Sequence, residues 1–190
     1  MGDVAGLVAA AARGDQEAWN ALVSRYAGLV WAVARSFRLD DADAGDVSQT
    51  CWLRLVEHLG RLRDPERVGA WLATTARNEA MRILRRSGRQ VPVGDGHELD
   101  VADASQPAPD RGVLTAERDE VLWRAFESLP ARCRALLRVL MADPPPTYEE
   151  VSAALDMPIG SIGPTRGRCL ERLRKNAELA GITVDAGDSA

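Results

Sequence analysis

Apolar residues recur at helical spacing through most of this chain, and the alternating pattern of strands is almost absent. Residues three or four positions apart share one face of a helix, so this spacing predicts helices that each bury an apolar stripe. The longest stripe follows Asp15, a candidate N-cap, and contains Trp19, Leu22, Val23, Tyr26, Val30, Val33 and Phe37. The pattern predicts an all-α fold.

Four further helices follow from the same spacing. They cover about residues 41–59, 68–86, 117–129 and 132–141, and the first of them has a stripe of Ala44, Val47, Cys51 and Leu55. The break at Asp64-Pro65 separates the first two. With 190 residues, 46% of them hydrophobic, the chain can form one large domain or two small ones.

The stretch 147–175 predicts a helix-turn-helix. Thr147 and Glu150 have the spacing of a capping box, and residues 156–160 interrupt the helical period. Ser161 is the expected N-cap of a second helix that buries Ile162, Cys169 and Leu173 and carries basic residues on the other side. Such a second helix can enter the major groove of DNA.

Charge divides the chain into segments. Residues 1–90 hold 13 basic and 11 acidic residues, 116–175 hold 10 and 9, and 91–115 hold one and five. The segment 91–115 also has prolines and no helical period, which is typical of a linker, either a passive tether or a functional connector. We expect domains at 1–90 and 116–178, a flexible acidic linker at 91–115 and an acidic tail at 179–190.

Several classes of protein are disfavoured. Cys51, Cys133 and Cys169 are odd in number and far apart, so we expect core thiols rather than disulfides, with no zinc site and no cofactor. No apolar run is long enough to span a bilayer, and no signal peptide is recognisable, so a cytoplasmic location is expected. With two histidines and no nucleophile motif or phosphate loop, an enzyme is not expected.

The predicted helix 68–86 combines an aromatic residue, an amide and several arginines outside its apolar face. Trp71, Thr74, Asn78, Arg82 and Arg85 share one side. Arginines bind phosphates and a tryptophan stacks on bases, so this side suits single-stranded DNA. The alternative is a solvated face with Trp71 tucked under a loop. The helix before it exposes Asp46, Gln49 and Leu53, which form either a docking surface or an ordinary solvated face.

The order of these motifs resembles the extracytoplasmic-function group of bacterial sigma factors, in the sigma-70 family. The resemblance rests on DADAGDVSQTCWLRL, WLATTARNEAMRILRR, the acidic linker and the C-terminal helix-turn-helix, and spans about residues 7–175. It implies core RNA polymerase as a partner, through the clamp helices of β′ and the flap of β, together with promoter DNA, duplex and melted. An anti-sigma protein is a further implied partner, and no membrane contact is implied.

The resemblance also implies roles for particular residues. Docking on polymerase falls to Asp43, Asp46, Gln49 and Leu53, although Gly45 stands where relatives usually carry an acid. Recognition and melting of the minus-ten element fall to Asp64, Arg67, Trp71, Arg77, Asn78, Arg82, Arg85 and Arg86. The loop 62–69 is the expected pocket for a flipped base.

Recognition of the minus-thirty-five element falls to Ser161, Thr165, Arg166, Arg168, Arg172, Arg174 and Lys175. The sequence departs from the family at Gly163-Pro164 and Gly167. Pro164 is tolerable if it lies in the first helical turn. Arg168 is the best candidate for a base or phosphate contact, whereas Arg166 falls nearer the apolar arc and either contacts DNA or packs.

One other function is compatible with the C-terminal motif. An ordinary helix-turn-helix repressor or activator would use the N-terminal half for dimerisation or effector binding. That function leaves the aromatic and basic surface of helix 68–86 and the acidic linker without a role.

Overall fold

The computed structural model describes residues 3–88 and 113–179, and within these ranges it contains eight α-helices and no β-strand. Two short 3-10 turns, Leu59–Arg61 and Pro65–Arg67, connect the third and fourth helices. The helices are α1 Val4–Ala12, α2 Gln16–Ser36, α3 Asp41–His58, α4 Val68–Arg86, α5 Val113–Glu127, α6 Ala131–Leu140, α7 Tyr148–Leu155 and α8 Ile159–Leu179. The all-α prediction is confirmed. Residues 91–112 of the predicted connector and the tail beyond residue 179 lie outside the described residues. Residues 113–115 of the predicted connector belong instead to the first turn of α5.

Local capping explains where three of the helices begin. The Asp15 carboxylate accepts the amides of Glu17 and Ala18 at the start of α2, and Asp40 accepts the amide of Asp43 at the start of α3. Thr147 and Glu150 form the predicted capping box on α7. Each cap satisfies amides that have no acceptor within the helix.

The predicted stripes on α2, α3 and α4 meet in one core. Leu22 and Val33 of α2 and the capping residue Phe37 that follows it are completely buried, as are the four stripe residues of α3. Val68, Leu72 and Ala76 of α4 pack against them. The helical spacing of apolar residues in the sequence therefore predicted the helix faces that pack together in this core.

The same core extends into the C-terminal half of the chain. α6 and α7 pack on α2 and α4, and Leu136, Val151, Ala154 and Ile162 belong to the cluster that contains Leu22 and Leu72. Among the described residues, a small second cluster is separate from it and is formed by Phe126, Leu129, Cys133, Leu137 and Cys169. The apolar faces of α6 and α7 are thus buried largely by the N-terminal half.

Close packing of the two halves depends on two glycines within helices. A Cβ atom at Gly28 of α2 would collide with the carbonyl oxygen of Asp143, and one at Gly69 of α4 would collide with the Glu150 carboxylate. The Tyr26 ring lies only 2.7 Å from that second position. Glycine is unfavourable inside a helix, and here its lack of a side chain permits the approach.

The expectation of three core thiols is wrong for two of the cysteines. Cys133 of α6 and Cys169 of α8 form a disulfide, 36 residues apart in the sequence. Spacing could not predict this pair because the two residues meet only when α8 packs across α6. Cys51 is a buried free thiol, as expected.

The start of the last helix also differs from its prediction. α8 begins at Ile159, so Ile159 and Gly160 are helical, and Ser161 lies inside the helix with its hydroxyl donating to the Pro158 carbonyl at 2.7 Å. Ser161 is therefore not the N-cap. Pro164 lies in the second turn rather than the first, and the Gly160 carbonyl loses the amide that would normally bond to it. No described helix is long and apolar enough to cross a membrane.

Candidate nucleic-acid interface

The candidate docking residues of α3 lie together on one groove. Asp43, Asp46, Gln49 and Leu53 line the space between α3 and α4, and the opposite wall includes Arg82 and Arg86. Asp46, Gln49 and Leu53 are exposed, and Leu53 is 58% accessible. An exposed leucine among acceptors, beside two arginines, provides both apolar and charged contacts for a protein partner.

A second, apolar groove begins on the other side of the same residues. Gln49 and Leu53 also line a cleft between α2 and α3 whose walls include Trp31, Trp52 and Val56. Trp31 and Val56 are 41% and 57% exposed. Sequence reasoning missed both residues, although both are large apolar residues that fall outside the buried stripes of their helices. Such exposed apolar clusters mark protein contact sites.

Glu79 joins the docking helix to the basic helix. Its carboxylate is 2% exposed and pairs with Arg54 of α3 and with Arg82 of α4, the latter at 2.6 Å. Buried carboxylates are stable only when they are paired. The sequence identified Glu79 only as the lone acid among arginines; its spacing from Val68, Leu72 and Ala76 on the buried side was the available signal.

The outer face of α4 carries the candidate residues for melted DNA. Asn78, Arg85 and Arg86 are exposed, and Arg82 is half-buried beside Glu79. Trp71 is half-buried against the core, with its ring 5.7 Å from that of His58. Trp71 therefore packs against the core but stays partly accessible. The prediction that its ring stacks on bases is compatible with this position and stays a prediction.

Two arginines of this set bind the C-terminal half of the chain. Arg67, in the 3-10 turn that follows exposed Asp64, pairs with Glu149 of α7. Arg77 of α4 pairs with Asp156, at the end of α7, at 2.8 Å. The Arg77 Nε atom is buried and has no hydrogen-bond partner among the described residues. Neither pairing was expected, since each joins residues about 80 positions apart.

The basic face of α8 lies opposite its buried residues Ile162, Cys169 and Ala177. Arg166, Arg168 and Arg172 are exposed, so the alternative that Arg166 packs against the core is wrong. Arg168 donates to the Thr165 hydroxyl at 3.1 Å. Arg174 and Lys175 both pair with Glu171, an acid within the basic face that the sequence interpretation did not use.

Known proteins are similar to this chain in sequence and in fold. Residues 22–90 match the family model of sigma-70 region 2. The chain is 28% identical over 163 residues to the extracytoplasmic-function (ECF) RNA polymerase sigma-E factor of Escherichia coli K12, which covers 82% of this chain and 84% of the relative. It is 27% identical over 176 residues to the RNA polymerase sigma-H factor of Pseudomonas aeruginosa, covering 89% and 91%.

Solved structures with this fold include that of CnrH. CnrH, in complex with the cytosolic domain of CnrY, superposes with a TM-score of 0.59 at 23% identity, covering 93% of this chain and 97% of CnrH. At this identity the likeness concerns the fold. The region 2 match covers α3 and α4, which carry the two neighbouring candidate surfaces, and the two relatives extend the similarity over most of the chain. Together, the region 2 match and the two relatives support a sigma factor of the extracytoplasmic-function group of the sigma-70 family.

Proposed function

We propose that this chain binds core RNA polymerase, directs it to promoters through minus-ten and minus-thirty-five elements, and assists promoter melting without catalysing a reaction itself. The site of action is the cytoplasm, where transcription takes place. The observation that carries the proposal is the pairing of a docking groove on α3 with a basic and aromatic face on α4, linked by Glu79. A sigma factor must bind polymerase and promoter at once, and adjacent helices suit that task.

The N-terminal part, residues 1–90, carries polymerase docking and the minus-ten surface. The clamp helices of β′ would contact Asp43, Asp46, Gln49 and Leu53, and the apolar cleft extends this surface to Trp31 and Val56. Because Gly45 contributes no charge, Asp43 and Asp46 carry the acidic part of the contact.

Promoter melting falls to α4 and the turn before it. Asn78 would bond a base edge, Trp71 would offer a partly accessible ring, and Arg82, Arg85 and Arg86 would hold phosphates. Asp64 and Arg67 would line the pocket for a flipped base.

The C-terminal part, residues 116–178, acts as a helix-turn-helix on duplex DNA. Arg168 and Thr165 would contact base or phosphate groups, and Arg166, Arg172, Arg174 and Lys175 would contact phosphates, with Ser161 at the start of the helix. This part would also contact the flap of β. The connector 91–115 would lie in the polymerase cleft between the two DNA-binding parts.

An anti-sigma protein is a further proposed partner. The fold neighbour CnrH is in complex with another protein, the cytosolic domain of CnrY, and this supports a protein partner for the present fold.

A run-off experiment tests the proposed function. Purified chain is added to core polymerase on pooled genomic fragments, and transcript starts are mapped by sequencing. We expect starts at a small set of promoters that core polymerase alone does not use. If the chain gives no new starts and instead binds duplex DNA tightly as a dimer, the helix-turn-helix repressor or activator is the correct function.

Docking is tested with Leu53→Asp, since a charge in an exposed apolar contact disrupts binding without disturbing the core. We expect a loss of about 1 to 2 kcal/mol in binding free energy, which weakens polymerase binding by roughly tenfold. Biolayer interferometry measures the affinity. Met141→Asp, at a residue that is 80% exposed in the other half, is the matched control. Equal binding by both variants would exclude Leu53 from the interface.

A further inference from the structure

His58, the last residue of α3, has an exposed side chain that the proposed function leaves unused. Its ring lies 5.7 Å from the ring of Trp71 on α4, at an interplanar angle of 40°. Trp71 packs against the core and stays partly accessible. The two rings therefore lie side by side where α3 ends and the turn toward α4 begins, and aromatic rings at such a position can stack on unstacked bases.

One nitrogen of the His58 ring is already in use. Nδ1 lies 2.8 Å from the backbone carbonyl oxygen of Arg54, one turn earlier in α3. A carbonyl oxygen can only accept a hydrogen bond, so Nδ1 carries the proton and donates it. A neutral imidazole has a single N–H group, and Nε2 is therefore left as an acceptor. The part of the chain that the structure describes offers this ring no other hydrogen bond.

An acceptor at Nε2 limits what the ring can bind on a nucleic acid. Phosphate oxygens are themselves acceptors, so neutral His58 cannot be a further phosphate contact beside the arginines of α4. Adenine and cytosine carry an exocyclic amino group, at N6 and N4, that donates to an acceptor. Guanine and thymine carry carbonyl oxygens at the corresponding edge, and these would repel Nε2. Nε2 thus suits adenine or cytosine.

His58 lies at one end of the surface that the proposed function assigns to melted DNA. Trp71, Thr74 and Asn78 follow one another on one side of α4, at spacings of three and four residues. The 3-10 turn Leu59–Arg61, which leads to the candidate pocket for a flipped base, begins directly after His58. A base that leaves the stack at this end of α4 therefore meets both aromatic rings. The tilt between the rings lets a base that lies on one ring direct its edge toward the other.

We propose that His58 is a specificity-determining residue of the minus-ten site: one unstacked base with an exocyclic amino group stacks on Trp71 and donates that group to Nε2 of His58. The proposal rests on the proposed function for the assignment of α4 to melted DNA. It adds a choice of base, adenine or cytosine over guanine or thymine, at one position of the non-template strand.

The test uses the chain assembled with core polymerase at pH 8, at which a free imidazole is neutral. The template is a promoter found in the run-off experiment, with its minus-ten region held open by mismatches. Each non-template base of the open region is changed in turn to adenine, cytosine, guanine and thymine. Competition against a fluorescein-labelled template, followed by anisotropy, measures the relative affinities.

We expect one position at which adenine or cytosine is preferred about three- to tenfold, the factor that one neutral hydrogen bond supplies. Replacement of that base by purine or pyrimidin-2-one, which lack only the amino group of adenine and of cytosine, should remove the same factor.

Two variants separate the acceptor from the ring. His58→Phe keeps an aromatic ring but has no acceptor, so it should lose the preference at that position and keep the preferences at all others. His58→Gln places an amide oxygen near the position of Nε2 and should keep part of the preference. Glu57→Gln, at the exposed neighbouring residue, is the control and should behave like the unchanged chain. Circular dichroism checks that each variant folds.

An unchanged preference at every position in His58→Phe would overturn the proposal. An equal loss of affinity for all four bases would also overturn it, because a purely structural role of His58 at the end of α3 gives that result. Failure of the proposed function is seen separately, as the absence of new transcript starts with the unchanged chain, and it would remove the role of His58 as well. A chain that directs transcription without a base preference dependent on His58 overturns only that role.

Discussion

Glu79 shows how one residue couples the two helices of the N-terminal site. Its carboxylate is buried, while the side chains of its partners Arg54 and Arg82 are 44% and 40% exposed. The arginines hold the charge in place and the carboxylate in turn orients Arg82. Glu79 therefore contributes mainly by fixing the position of α3 against α4, and less through the net Coulomb energy of its ion pairs.

Glu79→Gln is expected to lower the free energy of unfolding. The amide keeps the shape of the side chain but loses two charge-assisted contacts to half-exposed partners, so the loss is about 1 to 2 kcal/mol. Urea denaturation followed by circular dichroism measures it. Glu57→Gln, on the exposed side of α3, should change stability by less than about 0.5 kcal/mol. Similar losses for both variants would contradict a special role for Glu79.

The raised pKa values of Cys51 and Tyr26 predict how the stability of the fold depends on pH. Burial raises the pKa of the Cys51 thiol from 9.0 to about 12, with the Glu79 charge adding to the effect. Burial also raises the pKa of Tyr26 above 10.0. Both groups are neutral in the fold. The contribution of Cys51 to stability is fully present below pH 9 and is lost as the pH rises toward 12, and that of Tyr26 is lost only as the pH rises above 10.

Thiol titration at pH 8 checks the state of Cys51. Ellman's reagent should react slowly or not at all with the native chain, because the thiol is buried and protonated. One equivalent should react after unfolding, since the other two cysteines are in the disulfide. Rapid reaction of one thiol in the native chain would contradict the buried position.

At the level of single elements, α8 carries most of the unexpected features. It begins at Ile159, contains Pro164 in its second turn, and is joined to α6 by the Cys133–Cys169 disulfide. Proline removes one helical hydrogen bond near the end of the helix that the proposed function places on duplex DNA. On the buried face of α8, the disulfide at Cys169 and the buried Ile162 hold the same segment in place.

Removal of the disulfide is expected to destabilise this half of the chain. For a closed loop of 36 residues, the lost restraint on the unfolded chain is worth up to about 4 kcal/mol. Cys133→Ser with Cys169→Ser, compared with the unreduced chain by thermal denaturation, measures the loss. If the melting temperature is unchanged, the link does not contribute to stability.

Arg168→Ala tests the role of α8 in DNA recognition. The side chain is exposed and supported by Thr165, so its loss should not affect folding. A base contact by arginine discriminates by about 1 to 3 kcal/mol, so use of the upstream element should fall about five- to a hundredfold. Transcription from an already melted template should change little. Equal losses on both templates would exclude Arg168 from upstream recognition.

At the scale of the whole molecule, the main finding is the shared core. Leu136 of α6, Val151 of α7 and Ile162 of α8 are completely buried in the cluster that includes Leu22 and Leu72. Separation of the halves would expose these side chains to water, so the shared core favours the packed arrangement.

Leu136→Ala is expected to lower the free energy of unfolding of the whole chain. Truncation of a completely buried leucine costs about 2 to 5 kcal/mol. Because the core is shared, unfolding followed by tryptophan fluorescence and by circular dichroism should shift together in one transition. Leu170→Ala, at a 42% exposed residue of α8, is the control. Two transitions, of which only one shifts, would show that the halves unfold independently.

Sequence reasoning performed best where the determinants are local. The bounds 68–86 of α4, the caps at Asp15 and Thr147, and the exposure of Asp46, Gln49 and Leu53 followed from spacing and composition. It failed at Ser161, because a preceding Pro158 with a helical Ile159 and Gly160 moved the helix start. It missed Trp31 and Val56, because single-helix patterns do not show which grooves two helices form.

Patterns along the sequence predicted most of the helices and their buried faces, but not α1, and the residues for docking and DNA binding stay predictions. Each of these depends on side chains within a turn or two of one another, whose period and caps can be read along the chain. The packing of the helices in three dimensions brings Cys133 to Cys169 and pairs Arg67 and Arg77 with Glu149 and Asp156. The same packing makes the two halves share a core. These contacts join residues at least 36 positions apart in the sequence. Many residues of the same chemistry could form each pair, and only the packing of the helices selects one.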